Sequence, residues 1–414
     1  TSVSIANGVK SFGNRCFSGC HSLKSFIIPD SVVSIGASTF SYDQSLESIY
    51  IGSGLESIGE LSFSYLDKLN SFNVSKDNRI YSSFDGLLYT KNFTILELVP
   101  MSKTGNCILH DNLTSIPDGA FIWHFEITSI TIPSSVTSIG FQAFQSCKGI
   151  TSLVIPSSVT SIGYQAFLGC KGITSLVIPS SVTSIGSSTF QECSGLTSLE
   201  ISSSLTKIPN AAFSDCFGIT SLIIPSSVTF IDYSAFENCY QITSLEMNHG
   251  LETISYNAFK NCSSILSLNI PSSITSIGKY AFYKCSLLSS VKFLGTKEPE
   301  IGKYIFLDCN ALEYIEVPID YEKDTFCEKQ VNKTLILDSP SSSLEQDSTA
   351  YTATPTKIII DESTNNDGSS SSSNVKTDPI EPTNTEAPTF PNVDVPEIII
   401  TVTVPDNSNE DEVD

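Results

Sequence analysis

Basic side chains, histidines and long apolar runs are what this chain lacks. Its 22 Lys and Arg stand against 44 Asp and Glu in 414 residues, a formal net charge of −22. Nucleic acid and anionic membrane surfaces are gripped by clustered Lys and Arg facing phosphate, so neither is an expected partner. Sixteen of the acids but only two lysines lie from Asp338 onward, which leaves −8 for everything before. The acidity belongs mostly to the tail. No apolar run reaches the about 20 residues that a membrane-spanning helix requires, and no basic segment followed by an apolar one opens the chain. Direct membrane insertion is therefore not expected.

Catalytic constellations are missing too. His21, His110, His124 and His249 are scattered, and none sits in a His-x-x-x-His pair. There is no Gly-x-Ser-x-Gly elbow. Serines abound, but an activated hydroxyl needs a base beside it, and the serine-rich segments carry none. Gly278-Lys279-Tyr280 and Gly302-Lys303-Tyr304 lack the earlier Gly and the following Ser or Thr of a phosphate-binding loop. The expectation is a protein without enzymatic activity, cofactor or metal.

What is present is one unit written repeatedly. Ile150-Thr-Ser-Leu153-Val-Ile155-Pro156-Ser-Ser-Val159-Thr-Ser-Ile162-Gly163-Tyr-Gln-Ala166-Phe167-Leu-Gly-Cys170 is a full copy, and the next begins 23 residues later. Phe144, Phe167, Phe190, Phe213, Phe236, Phe259 and Phe282 keep that period, Phe17, Phe40 and Phe63 keep it earlier, and Phe306 follows after a one-residue slip between Gly295 and Ile301. With Phe121, about twelve units result. A fixed period of this length marks a solenoid, whose units bury their apolar faces only against one another. Thr1 already lies inside the array, with Val9 to Cys20 reading as the second half of a unit, so a fragment or processed chain is expected.

Within a unit, Leu153 and Ile155 alternate with Ser152 and Val154, the first pair inward and the second outward along a strand. Pro156 has no amide hydrogen for a ladder and ends it, and Ser-Ser makes a turn. Val159 and Ile162 bring the chain back and Gly163 bends it. Tyr164 to Gly169 has the length of one or two helical turns, with Ala166 and Phe167 facing in. The expected fold is an α/β repeat with a parallel β-sheet on one face and short helices or turns on the other, its coils about 4.8 Å apart. Twelve such coils would make a body on the order of 60 Å long. The period breaks between Asn73 and Asn112, where Asp85-Gly86 between alternating apolar flanks predicts a β-hairpin. The organisation expected is 1–72 and 113–320 as repeats, 73–112 as a hairpin-bearing variant unit, 321–337 as a capping segment, and 338–414 as a disordered acidic Ser/Thr/Pro-rich tail.

Cysteine forms its own column. Cys147, Cys170, Cys193, Cys216, Cys239, Cys262 and Cys285 recur every 23 residues, with Cys309 after the slip and Cys20 near the start. Stacked coils hold parallel side chains about 4.8 Å apart, wider than the roughly 3.5 to 4.5 Å between the Cβ atoms of a disulfide. Buried free thiols serving as small apolar groups are expected, and a disulfide ladder would need the coils to twist. Cys16-Phe-Ser-Gly-Cys20-His21 has the wrong spacing for haem attachment, and Cys16 falls at the unit's Ala position.

The unit Leu-x-x-Leu-x-Ile-Pro-x-x-Val-x-x-Ile-Gly-x-x-Ala-Phe-x-x-Cys, seen from Ile173 to Cys193 with Thr189 for Ala, resembles the leucine-rich repeat of BspA-like surface antigens. Asn78, Tyr81, Ser83, Asp85-Gly86, Leu88-Tyr89 and Lys91 are similar to the longer hairpin-bearing unit of that family. The resemblance covers residues 1 to about 320. It implies a cell-surface or secreted protein that binds host or matrix proteins, and it brings no catalytic residue.

One outward strand column is nearly all Ser, among them Ser152, Ser175, Ser198, Ser221 and Ser244. Its neighbour varies, reading Ile27, Tyr50, Thr131, Val154, Val177, Glu200, Ile223, Glu246, Asn269, Lys292 and Glu316. A long face of mixed apolar and charged side chains flanked by small hydroxyls can accept an extended protein. Val154, Val177, Glu200, Ile223, Glu246, Asn269 and Lys292 are accordingly the candidate contacts. Two functions are carried forward, an extracellular adhesin-like binding protein and an intracellular leucine-rich-repeat scaffold, the second fitting the free thiols and the lack of a visible signal. Asn73, Asn92, Asn112, Asn261 and Asn332 begin N-glycosylation sequons.

Overall fold

The structure, a computed structural model, describes residues 3–335. The expected acidic tail, 338–414, lies outside the described residues, as do the last two positions of the segment 321–337.

The described chain winds into a parallel β-solenoid of about 13 turns. Up to three ladders join one coil to the next. The first is the expected strand, in which Ser175, Leu176 and Val177 lie opposite Ser198, Leu199 and Glu200, one repeat on. Leu176 is buried and its two neighbours are exposed, as a period of two requires. The second is a two-residue strand at the Ser-Ile of each unit, where Ser161 and Ile162 pair with Ser184 and Ile185.

The third ladder corrects the expected short helices. No helix occurs among the described residues, and the face opposite the strands is made of turns. From Gly163 to Cys170 the amides alternate in direction. Those of Gln165, Phe167 and Gly169 donate to the carbonyls of Ser187, Thr189 and Gln191 in the next coil at 3.0, 2.8 and 2.8 Å. Those of Ala166, Leu168 and Cys170 donate three residues back within the coil. An α-helix would spend every amide on its own carbonyls and leave none for the neighbour. The alternation demands left-handed backbone twice per coil, at Gln165 (φ 54°) and Gly169 (φ 71°) here and at Ser188 (φ 52°) and Glu192 (φ 59°) one coil on. That conformation costs an L-residue about 1–2 kcal/mol, and the inter-coil hydrogen bonds offset it.

The second ladder has a seam. It runs from Ser115–Ile116 to Ser184–Ile185, and again from Lys207–Ile208 to Glu300–Ile301, with no pairing between the two stretches. Pro209 stands where neighbouring units have Gly163, Gly186, Asp232, Ser255 or Gly278, all of which have an amide hydrogen. Gly186 and Gly278 donate their amides to Ile162 and Ile254 of the preceding coil at 2.8 and 2.7 Å. Proline has no such hydrogen to give Ile185.

Phenylalanine fills the interior as a continuous stack. From Phe121 to Phe306, successive rings lie 5.0–5.6 Å apart and within 16° of parallel. The cysteine column runs beside it. Cys170 and Cys216 donate their thiols to the carbonyls of Phe144 and Phe190 in the preceding coil, at 3.0 and 3.2 Å, and every member from Cys147 to Cys309 does the same. None of the cysteines is in a disulfide, and all but Cys16 and Cys20 are buried. Burial pushes the Cys193 thiol up to about 12, and a thiol kept protonated is a poor nucleophile and a poor ligand. Asp43 and His124 occupy the same column in their own coils and are likewise buried. Burial lifts the Asp43 carboxyl to about 6 even though the Cys20 amide donates to it.

The interruption at Asn73 is a three-stranded antiparallel meander, Tyr81–Phe84, Leu87–Thr90 and Leu96–Leu98. The expected hairpin turn is present, with positive φ at Asp85 (50°) and Gly86 (76°). The third strand was not expected. Leu87, Tyr89 and Leu96 join the core of the following coils, whereas Tyr81, Leu88 and Leu98 join the core of the preceding ones. The meander is thus a septum between two hydrophobic cores, buried on both faces. Asn78 fastens it, its Nδ2 donating to Gly52 and Leu55 carbonyls and its Oδ1 accepting from the Ile80 and Tyr81 amides.

Candidate interaction surface

The strand that begins each unit presents one side chain per coil to solvent between two inward aliphatics. Pairing sets the register of that column. Val177 lies opposite Glu200, Ile223 opposite Glu246, Asn269 opposite Lys292, and Lys292 opposite Glu316. Val154 joins through the isolated bridge between Ser129 and Ser152. Pairing thus aligns the candidates in three separate runs, Val177 with Glu200, Ile223 with Glu246 and Asn269 with Lys292, and the period of 23 residues puts Val154 and all three runs at the same position of their coils.

They are not equivalent. Val154, Val177 and Ile223 are 72, 51 and 60 % exposed, large values for aliphatics on a folded surface. Glu200 and Glu246 are exposed and make no ion pair among the described residues. Lys292 is half-buried, with its Nζ 2.8 Å from Glu316 Oε2, so its charge is already engaged. The centre of the column is apolar with two unpaired carboxylates, and its far end is a closed ion pair.

The first ladder is also discontinuous. Ser198–Glu200 and Ser221–Ile223 belong to separate two-stranded sheets. Where they fail to pair, an open groove of about 530 Å³ lies along the column, lined by Leu199, Glu200, Ser221, Ile223 and Pro225. Leu199 is the one strand leucine of its neighbourhood that is not fully buried. Another groove, of about 750 Å³, lies on the same column in the first coils, against Ile27, Pro29 and Tyr50.

Three members of the column were not read from the sequence. Asn73 lies opposite Tyr50, Ile108 opposite Thr131, and Asn332 opposite Glu316. No Leu-x-Ile-Pro marks these strands. For Ile108 a signal existed in the alternation of buried Cys107 and Leu109 around it.

The family described as BspA type Leucine rich repeat region (6 copies) matches residues 1–99, 114–243 and 206–332. No curated protein matches the chain. Among solved structures, a leucine-rich repeat protein from Bacteroides ovatus ATCC 8483 is 23% identical, with a TM-score of 0.59 over 80% of this chain and 88% of that one. A leucine-rich repeat protein from Eubacterium ventriosum ATCC 27560 is 28% identical, with a TM-score of 0.44 over 67% and 68%. A leucine rich cell surface protein from Faecalibacterium prausnitzii A2-165 is 23% identical, with a TM-score of 0.41 over 75% and 83%. The Bacteroides protein shares the fold.

Proposed function

The chain belongs to the BspA-type leucine-rich repeat family, and from that premise we propose that its strand face binds an extended segment of another protein, without catalysis. The observation that carries this reading is the groove between Glu200 and Ile223, on the column whose side chains vary while the scaffold does not. Exposed Val154, Val177 and Ile223 supply apolar contact, and Glu200 and Glu246 supply negative charge that is unpaired among the described residues. The serine column beside them leaves a partner's backbone room to approach. The partner that fits is an extended peptide pairing aliphatic side chains with Lys or Arg.

Display at the cell surface or secretion, with a host or matrix protein as ligand, is the setting this family membership favours. Free thiols give little support to the intracellular scaffold reading, because ten of the twelve are buried, out of reach of oxidants and hydrogen-bonded or packed in the core. Labelling of intact source cells decides between the two settings.

Selection from a library of extended random peptides should enrich sequences that alternate aliphatic and basic residues. Val177→Ser, Glu200→Lys and Glu246→Lys together should weaken the selected peptide about 100-fold or more, since central interface residues contribute about 1–2 kcal/mol each. Unchanged affinity in a variant that melts at the wild-type temperature would refute the strand-face site.

A further inference from the structure

We propose that the turn face of the four coils between Tyr233 and Asp308 is a second binding surface, one that takes an acidic polysaccharide of the sulfated glycosaminoglycan type. It lies on a different ladder from the strand column and does not depend on that column's function.

Aromatic side chains cover this stretch. Tyr256 meets Tyr280 edge-on at 5.9 Å, and Tyr280 stacks on Tyr304 at 5.5 Å. Tyr256 and Tyr304 are exposed. In an edge-on contact one ring keeps both faces clear of its neighbour, and the C–H face of a pyranose packs on such a ring.

Cationic groups stand over the rings. Lys279 Nζ is 4.6 Å from the Tyr280 centroid and 5.9 Å from that of Tyr304, and Lys284 Nζ is 5.1 Å from Tyr283. Lys279, Lys284 and Lys303 make no ion pair among the described residues, whereas Lys260, Lys292, Lys297, Lys323 and Lys333 around them all do. Lys279 and Lys303 hold the same position in adjoining coils, so their charges repel at a spacing set by coils about 4.8 Å apart. An anion between them relieves that repulsion. Of the carboxylates on these coils, Glu237 is engaged with Lys260 at 2.6 Å and Glu298 with Lys323, Glu246 lies on the strand face, Glu252 and Glu300 lie at the second ladder, and Asp308 follows Lys284 by one coil without an ion pair to it.

Amides complete the set. Asn261 donates to Asn238 at 2.7 Å, and the largely buried Asn257 has an Oδ1 without a hydrogen-bond partner among the described residues. Rings, side-chain amides and unpaired ammonium groups together match the C–H faces, hydroxyls and sulfates of an acidic sugar chain. An acidic peptide fits less well, because strand addition needs free backbone amides and those of this face are spent on the next coil, Asn257 on Lys279 and Phe259 on Ala281.

The test uses the full chain with immobilised heparin as the probe. Wild type should bind at physiological ionic strength with a salt-dependent affinity. Lys279→Gln, Lys284→Gln and Lys303→Gln together should reduce affinity about tenfold and flatten the salt dependence, at an unchanged melting temperature. Tyr256→Ser should weaken binding and leave the salt dependence as it was. The strand-face variant should bind heparin like wild type, which separates this proposal from the strand-face reading. Absence of heparin binding, a lysine variant that binds equally well, or single-stranded DNA bound as tightly as heparin would each overturn the assignment.

Discussion

Phe190→Ala should lower the unfolding free energy by about 3–5 kcal/mol, the usual cost of emptying a fully buried aromatic site. The Phe190 ring has no exposed surface and stacks between Phe167 at 5.3 Å and Phe213 at 5.5 Å. Its amide donates to Ala212 in the following coil at 2.9 Å, and its carbonyl receives the Cys216 thiol. One substitution therefore disturbs the aromatic stack, the turn ladder and the cysteine column together. Coupling in a solenoid is to nearest neighbours, so the loosening should be local. It should also be lopsided, since the coil boundary at Pro209 lacks the second ladder and has fewer bonds to fall back on. Hydrogen exchange in the variant should accelerate most from Phe190 to Phe213 and least in the coils before Phe121. Uniform acceleration throughout would contradict nearest-neighbour coupling.

Asn78→Ala is expected to cost about 3–4 kcal/mol, at roughly 1 kcal/mol for each of the hydrogen bonds it removes in a buried site. All four are 2.8–3.0 Å long, and Asn78 is 1 % exposed. The consequence reaches beyond the residue, because Asn78 ties the meander to the coil at Gly52 and the meander separates the two hydrophobic cores. Trp123 is the only tryptophan and lies, exposed, on the turn face beyond the septum, so its fluorescence reports the second array alone. In urea, the variant should lose strand circular dichroism before Trp123 fluorescence changes, as the first array unfolds ahead of the second. Two probes that still coincide, at whatever midpoint, would contradict a septum that couples separate cores.

Most of this architecture is legible in the residues because the inward positions allow so little variation. Phe167, Leu153, Ile155 and Ile162 recur at fixed intervals, and only stacked coils bury all four columns together. The turn face was left open between short helices and turns because Tyr164 to Gly169 has a length that suits either. The available cue was side-chain type at the left-handed positions. Asn238, Asn257, Asn261 and Gly169 are residues that tolerate positive φ, yet Gln165 and Tyr280 share that backbone and obscure the signal. Pro209, a residue without an amide hydrogen between Gly186 and Asp232 of the same column, was a readable break. The strand column was found because a period of two assigns each side chain to a face from one unit alone. The lysines of the turn face escape such a reading, since Lys279 and Lys303 follow the glycine bend and look like failed phosphate loops until neighbouring coils are superposed.

Everything rests on the coils being held one repeat apart, so that Val154 and Asn269 stand on a single line with four candidate contacts between them. Spin labels on a chain carrying Cys16→Ser and Cys20→Ser, one at position 154 and the other moved from 200 to 246 to 269, measure that spacing by dipolar coupling. The separation should grow by about 4.8 Å per added coil, from about 10 Å to about 19 Å to about 24 Å. Distances that fail to rise in that order, or that scatter broadly at every position, would mean that the column does not exist.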